Sequence, residues 1–116
     1  MSENRIPEQD YVRSITRDVM AVLAAKGFFD ALDEVLCPVD ESKPPASCRT
    51  NYENSERILI GLGFESGDFE DIFDVLRSRG GFCDCEILYN AVETSRLKSK
   101  YWRAQADRHE RERRGE

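Results

Sequence analysis

Apolar positions recur with helical spacing along the first third of the chain. One apolar stripe starts just after Pro7 and ends at Gly27, and a second starts at Phe28 and ends before Pro38. Proline suits the first turn of a helix, and glycine suits the position after the last turn. We therefore predict two consecutive helices, with Asp33 and its neighbouring acids on the outward face of the second.

Two further helices are predicted in the middle of the chain. Residues 37–50 form a loop, because two adjacent prolines exclude a helix and a central strand there. The third helix starts near Asn51, an acceptable N-cap, and ends at Gly63. The fourth starts at Asp68 and ends at Gly80-Gly81. It carries acids in its first turn and arginines in its last, as the helix dipole favours.

The period of the pattern changes to two after the glycine pair. Residues 82–89 put Cys83 and Cys85 on one face and Asp84 and Glu86 on the other, which predicts a strand. The two acids are then solvated charges on an exposed face. Since a lone strand leaves its backbone groups unpaired, we expect it to pair with the proline-containing loop or with a second chain, as a homodimer.

The predicted fold is a small α+β domain with about four helices, one strand and a charged C-terminal helix. A chain of 116 residues, 40% hydrophobic and 34% charged, fits one domain with its own core. We place that domain at residues 1–94 and a basic helix or tail at residues 95–116. The first part holds 9 Lys/Arg against 19 Asp/Glu and the second holds 8 against 4, so an acidic body carries a basic tail.

The basic tail combines cations with aromatic rings, a mixture that can pair phosphate contacts with base stacking. The candidate nucleic-acid-binding residues are Lys98, Lys100, Tyr101, Trp102 and Arg103. Acids further along the tail dilute this patch, and the acidic body repels nucleic acid. An ordinary charged helix anchored by its two aromatic residues is therefore favoured, and nucleic acid is disfavoured as a partner.

Several features predict a cytoplasmic protein without a membrane segment. The chain starts with polar and acidic residues, and no apolar run approaches the roughly 20 residues that cross a bilayer. In a reducing compartment the four cysteines are not expected to form a disulfide framework. They are then core residues, metal ligands or redox-active thiols.

The spacing of Cys83 and Cys85 fits a metal site. Residues i and i+2 of a strand have Cα atoms about 7 Å apart, longer than the ~4.4–6.8 Å of a relaxed disulfide. Two such thiolates can bind one zinc ion, and Cys48 and Cys37 from the loop would complete a closed site of four thiolates. Two other interpretations stay open: the pair is simply the buried face of the strand, or one of the two is a redox-active or nucleophilic thiol.

The segment GGFCDCEILYNA resembles the signature of a family of uncharacterised bacterial proteins, the domain of unknown function 2695. The resemblance covers roughly residues 30–92. It is carried by Cys48, Ser55, Leu59, Gly80, Gly81, Cys83, Asp84, Cys85, Glu86, Leu88 and Asn90. It implies no activity. The family pattern suggests a histidine where this chain has Thr50. If that histidine is a metal ligand in relatives, Cys37 would have to replace it here.

Taken together, these features favour a non-enzymatic interaction or accessory module with a protein partner and a structural zinc. No catalytic residue is assigned, because the single histidine, His109, lies in the charged tail. The alternatives are a redox or nucleophilic protein that uses Cys83 or Cys85, and a nucleic-acid-associated protein that uses the tail.

Overall fold

The computed structural model describes residues 7–115, and the regular structure of this part is helical throughout. Its helices are α1 (Pro7–Ala25), α2 (Phe28–Leu36), α3 (Glu53–Gly61), α4 (Phe69–Ser78), α5 (Asp84–Glu86) and α6 (Arg96–Arg113). A single 3-10 turn, Ser66–Asp68, precedes α4, and a π-helical turn, Ile87–Ala91, continues α5. The four helices predicted before the glycine pair are confirmed as α1 to α4.

The predicted strand over residues 82–89 is wrong, and so is the α+β class, because residues 7–115 contain no strand. The buried residues of positions 83–91 are Cys83, Asp84, Ile87, Leu88 and Ala91, a spacing typical of a helix. When Asp84 is counted as buried, it fits this helical spacing. When it is counted as solvated, the same residues show the period-two alternation that predicted a strand. Strand pairing with the loop or with a second chain was expected, but residues 7–115 contain no strand that could form it.

The glycine pair ends α4 and allows a tight turn. Gly80 has φ +88°, and the amides of Gly80 and Gly81 donate to the carbonyls of Arg77 (3.0 Å) and Leu76 (2.8 Å). This is the Schellman arrangement of a helix end. A Cβ on Gly81 would lie 2.9 Å from Cγ1 of Ile87, so the turn packs too closely for any side chain there.

The hydrophobic core lies where α1 to α4 meet the π-helical turn. α1 packs against α2 and α4, and α2 packs against α3, α6 and the π-helical turn. The fully buried apolar side chains of this core are Leu23, Phe28, Leu32, Leu59, Leu76, Ile87 and Leu88. The segment after the glycine pair is thus part of the core. Its buried residues Ile87 and Leu88 fix the position of Cys83 and Cys85, which come just before them.

Asp33 on α2 is buried and accepts the first backbone N–H groups of α6. Its carboxylate oxygens lie 2.7 Å from the amide of Arg96 and 3.1 Å from that of Leu97. The prediction that Asp33 faces outward is therefore wrong. A carboxylate at a helix N-terminus pairs with otherwise unsatisfied amides, and here the carboxylate comes from another helix.

The charged C-terminal segment is helical and projects from the rest of the molecule. After Leu97, the side chains of α6 are exposed with the exception of Lys98 and Gln105, which are half-buried. The radius of gyration is 17.0 Å and the longest dimension is 60 Å, against the roughly 13 Å radius of gyration of a compact domain of this size. Among residues 7–115, no helix combines the length and hydropathy needed to cross a membrane.

Candidate metal centre

Three of the four cysteines form a cluster at the junction of the loop with α5. The Sγ atoms of Cys48, Cys83 and Cys85 all lie within 4.8 Å of one another. Those of Cys83 and Cys85 are 3.5 Å apart, and Sγ of Cys48 accepts a hydrogen bond of 3.3 Å from the backbone N–H of Cys85. We call these three residues the thiol cluster.

A short helical turn, rather than a strand, brings the two later thiols together. Cys83 precedes α5 in an extended conformation (φ −156°, ψ 174°), and Cys85 lies within α5. Cys83 is buried, while Cys48 and Cys85 are half-buried. The cluster is thus enclosed on the side of Cys83 and accessible on the side of the loop.

The carboxylate of Asp84 joins the elements that carry the cluster. It is fully buried and accepts hydrogen bonds from the backbone N–H groups of Asn54 and Ser55 (both 3.0 Å), the side-chain amide of Asn54 (3.0 Å) and the hydroxyl of Ser55 (2.6 Å). The backbone N–H of Asp84 donates to the carbonyl of Asn51 (2.9 Å). The interpretation of Asp84 as a solvated charge is therefore wrong, because it serves as the cap of α3.

The backbone next to Cys48 is strained. Thr50 has φ +59°, a left-handed conformation that is unusual for a β-branched residue. Such conformations cost roughly 1–3 kcal/mol and concentrate at functional sites. Thr50 lies two residues after Cys48, and its backbone N–H contributes to the lowered pKa of the Cys48 thiol. The strained residue thus lies beside a thiol of the cluster.

The surroundings of the three thiols shift their pKa values in different directions. Burial raises the pKa of the Cys83 thiol, although the backbone N–H of Glu86 opposes the shift. Burial likewise raises the pKa of Cys85, and its hydrogen bonds to the other two thiols raise it further. Burial opposes ionisation of Cys48 as well, but hydrogen bonds from Cys85 and Thr50 outweigh it and lower the pKa of Cys48. The first thiolate of the metal-free cluster therefore forms on Cys48.

Two further groups adjoin the cluster or were predicted to join it. Oε1 of Glu86 lies 3.5 Å from Sγ of Cys83. Cys37 follows the end of α2 and is not one of the three clustered thiols. Its carbonyl accepts two hydrogen bonds from the guanidinium of Arg96, at 3.0 and 3.3 Å. The backbone of Cys37 thus takes part in the contact between α2 and α6.

The residues predicted for nucleic-acid binding lie on the first half of α6. The ring of Tyr101 is 5.9 Å from that of Tyr89 and 5.1 Å from that of Trp102. Tyr101 and Trp102 nevertheless remain 45% and 60% exposed. Lys98, Lys100 and Arg103 lie on the same helix, outside the thiol cluster. His109 is exposed further along α6, with Nδ1 3.7 Å from Glu112.

Sequence reasoning missed two residues that shape the cluster, Asp84 and Thr50. Asp84 had a detectable signal, since counting it as buried turns residues 83–91 into a helical pattern. The left-handed conformation of Thr50 has no such signal, because β-branched residues seldom adopt it.

One comparison with known proteins finds a match. Residues 35–90, just under half of the chain, match the model of a family described as "Protein of unknown function (DUF2695)". No curated protein and no solved structure matches the chain. The matched segment contains the thiol cluster, Asp84 and the glycine pair. The resemblance predicted from the sequence is confirmed: the part of the chain that builds the thiol cluster is similar to the DUF2695 family, which has no assigned function.

Proposed function

We propose that the protein is a non-enzymatic module whose fold is stabilised by one zinc ion bound to the thiolates of Cys48, Cys83 and Cys85. The observation that carries the proposal is the mutual distance of the three Sγ atoms, all within 4.8 Å. With Zn–S bonds of about 2.3 Å, sulfur ligands of a tetrahedral zinc are about 3.8 Å apart. Small side-chain movements are therefore enough to bind the ion.

The type of ligand favours zinc over hard cations. Thiolates select soft or borderline metals, whereas magnesium and calcium prefer oxygen ligands. The backbone N–H of Cys85 donates to the sulfur of Cys48, and the backbone N–H groups of Thr50 and Glu86 favour the thiolate forms of Cys48 and Cys83. Such outer hydrogen bonds orient the ligands of a metal site.

A structural role fits the position of the cluster. The ion would join the loop that contains Cys48 to α5 and, through Asp84, to the start of α3. Sites rich in thiolates are typically structural, since their closed shell leaves no position for a reacting water. The exposed side chain of Phe82, next to Cys83, offers an apolar contact for a protein partner on a surface that the ion would order.

Two residues are candidates for the fourth ligand. Cys37 is the candidate from the sequence and would complete a site of four thiolates after a movement of the loop. Glu86 is the candidate from the geometry, because its carboxylate already lies 3.5 Å from Sγ of Cys83. Cobalt(II) substitution distinguishes them, since each bound thiolate adds to the sulfur-to-cobalt charge-transfer absorption. Cys37→Ser lowers this absorption only if Cys37 is a ligand. Glu86→Gln leaves the absorption unchanged in either case, and it weakens cobalt binding only if Glu86 is a ligand.

Metal analysis of the full chain, purified without added zinc, tests the proposal. We expect about one zinc ion per chain and a lower melting temperature after its removal with a chelator. Cys48→Ser and Cys85→Ser should each weaken zinc binding strongly, and circular dichroism checks that each variant is folded. A wild-type chain that binds no zinc at micromolar concentration and melts at the same temperature with and without chelator would refute the proposal.

A second candidate function is a redox pair, favoured by the 3.5 Å distance between the sulfurs of Cys83 and Cys85. In that reaction, one hydrogen peroxide molecule oxidises the two thiols to a disulfide and is reduced to two waters. Mass spectrometry of the metal-free protein after limited peroxide treatment should find a loss of two hydrogen atoms confined to the peptide with both cysteines. Oxidation of either cysteine to a sulfinic acid without a disulfide would contradict this candidate.

A further inference from the structure

An open cleft of about 1260 Å³ lies between α1 and the C-terminal end of α4. Four arginines line it: Arg13 and Arg17 from α1, and Arg77 and Arg79 from the end of α4 and the residue after it. We call this region the arginine cleft. No cysteine is among its lining residues, so it is separate from the thiol cluster.

The arginine cleft is strongly positive on an otherwise acidic chain. The chain carries a formal net charge of −6. The single acidic residue among the described residues that line the cleft is Asp74, which is 2.5 Å from Nη2 of Arg77 and so is already paired. Guanidinium groups that line the same cleft repel one another unless anions lie between them. The lining therefore favours an anionic ligand.

Arg77 and Arg79 are both held by contacts behind the cleft. Nε of Arg79 donates to the carbonyl of Ala91 (3.3 Å), and the guanidinium of Arg77 lies 5.9 Å from the centre of the Tyr52 ring. The hydroxyl of Tyr52 donates in turn to the carbonyl of Gly81. One wall of the cleft is thus preorganised by the segment after the glycine pair, which lowers the entropy lost when a ligand binds.

The two arginines from α1 remain available. Arg13 and Arg17 are one helical turn apart, so they lie on the same side of α1, and both are exposed. Among the side chains of residues 10–115, the structure records no ion pair for either of them. Each can turn its planar group toward a ligand in the cleft.

We propose that the arginine cleft binds a ligand with two or more adjacent phosphate groups, such as an oligophosphate chain. Guanidinium groups bind phosphate oxygens through paired hydrogen bonds, and four of them can neutralise several phosphate charges. The described lining contains no aromatic side chain on which a nucleobase could stack. The phosphate chain itself, rather than a base, is therefore the part that is recognised. This inference is independent of the proposed zinc site.

Calorimetric titration of inorganic tripolyphosphate into the full chain, without added zinc and at low salt, tests the proposal. We expect one ligand per chain, with an affinity that falls as salt is added. The double variant Arg13→Gln/Arg17→Gln should weaken binding by about tenfold or more, because hydrogen bonds between charged groups are lost. The matched control, Arg108→Gln/Arg111→Gln, removes the same charge from the exposed α6 and should change the affinity by less than about twofold.

Three outcomes would overturn the assignment. The first is the absence of tripolyphosphate binding by the wild-type chain. The second is an equal loss in both double variants, which would indicate attraction by overall charge alone. The third is binding of single-stranded nucleic acid, but not of tripolyphosphate, through Arg13 and Arg17. Both double variants change exposed residues, so thermal melts should differ little from wild type, and this confirms that the comparison is made on folded chains.

Discussion

At the scale of single residues, two buried carboxylates organise the molecule. Asp84 accepts four hydrogen bonds from Asn54 and Ser55, and Asp33 accepts the first two amides of α6. Buried charges are tolerated only when they are well paired, and backbone amides at a helix start provide that pairing. Each acid is thus buried because a helix from another part of the chain begins beside it.

We predict that Asp84→Asn lowers the free energy of unfolding by about 2–3 kcal/mol. The amide nitrogen of asparagine would face N–H donors that now meet a carboxylate oxygen, so at least one donor loses its partner. Urea unfolding measures the change. Asp107→Asn on the exposed α6 is the control and should be nearly neutral. A loss at position 84 no larger than the control's would contradict the role assigned to Asp84.

We also predict the order in which the clustered thiols react in the metal-free protein. The lowered pKa of Cys48 increases its thiolate fraction at a given pH, whereas the raised pKa values of Cys83 and Cys85 decrease theirs. Iodoacetamide at pH 7 should therefore label Cys48 first, and the difference should shrink as the pH rises. Peptide mapping gives the order, and urea-unfolded protein, in which all thiols react alike, is the control. Faster labelling of Cys85 than of Cys48 would contradict the prediction.

At the scale of elements, the turn after α4 determines how the thiol-bearing segment enters the core. The two glycines close the end of α4 and bring the backbone of Gly81 against Ile87 and the carbonyl of Leu76. This close approach aligns the extended residue Cys83 with the start of α5. The conformation of one turn therefore controls where the cluster forms.

Gly81→Ala should destabilise the protein by about 1–3 kcal/mol, because the new methyl group overlaps Ile87 and forces the turn to move. Gly61→Ala is a matched control. Its Cβ would meet nothing within 4 Å, and it lies in the last turn of α3, so alanine there should be neutral or stabilising. Thermal unfolding of both variants measures the difference, and an equal loss of stability in the two would refute the packing argument.

At the scale of the whole molecule, a packed body carries one projecting helix. α6 is joined to the body through Asp33 and through Arg96, which lies 2.8 Å from Glu34. Beyond Trp102 its side chains contribute little to the core. The body and most of α6 are thus expected to be separable in their contributions to stability.

A chain that ends at Arg103 should unfold within about 1 kcal/mol of the full chain, since almost all of the residues that are removed are exposed. A chain that ends at Thr94 should lose about 2–3 kcal/mol, because Asp33 is left buried without its amide donors. Urea titration of both truncations provides the comparison. An equal loss in the two would contradict the division at the start of α6.

Much of the fold was predictable from local patterns. α1, α2 and α4 follow apolar stripes with proline or glycine at their ends, and the match to DUF2695 was visible in the segment after the glycine pair. The strand prediction failed because it assumed that Asp84 is solvated. The burial of Asp84 had one indirect sign, the helical pattern that appears when it is counted as buried, but its donors lie far away in the sequence. The left-handed conformation of Thr50 had no sign in the pattern.

The sequence alone determined the four early helices, the stops between them and the cysteines available for one site, because helix periodicity and glycine or proline breaks are local properties. Tertiary structure decided which acids are buried, that the segment after the glycine pair is helical and that Cys48, rather than Cys37, lies beside Cys83 and Cys85. Those outcomes depend on partners far away in the sequence, since the donors that stabilise a buried carboxylate come from other helices.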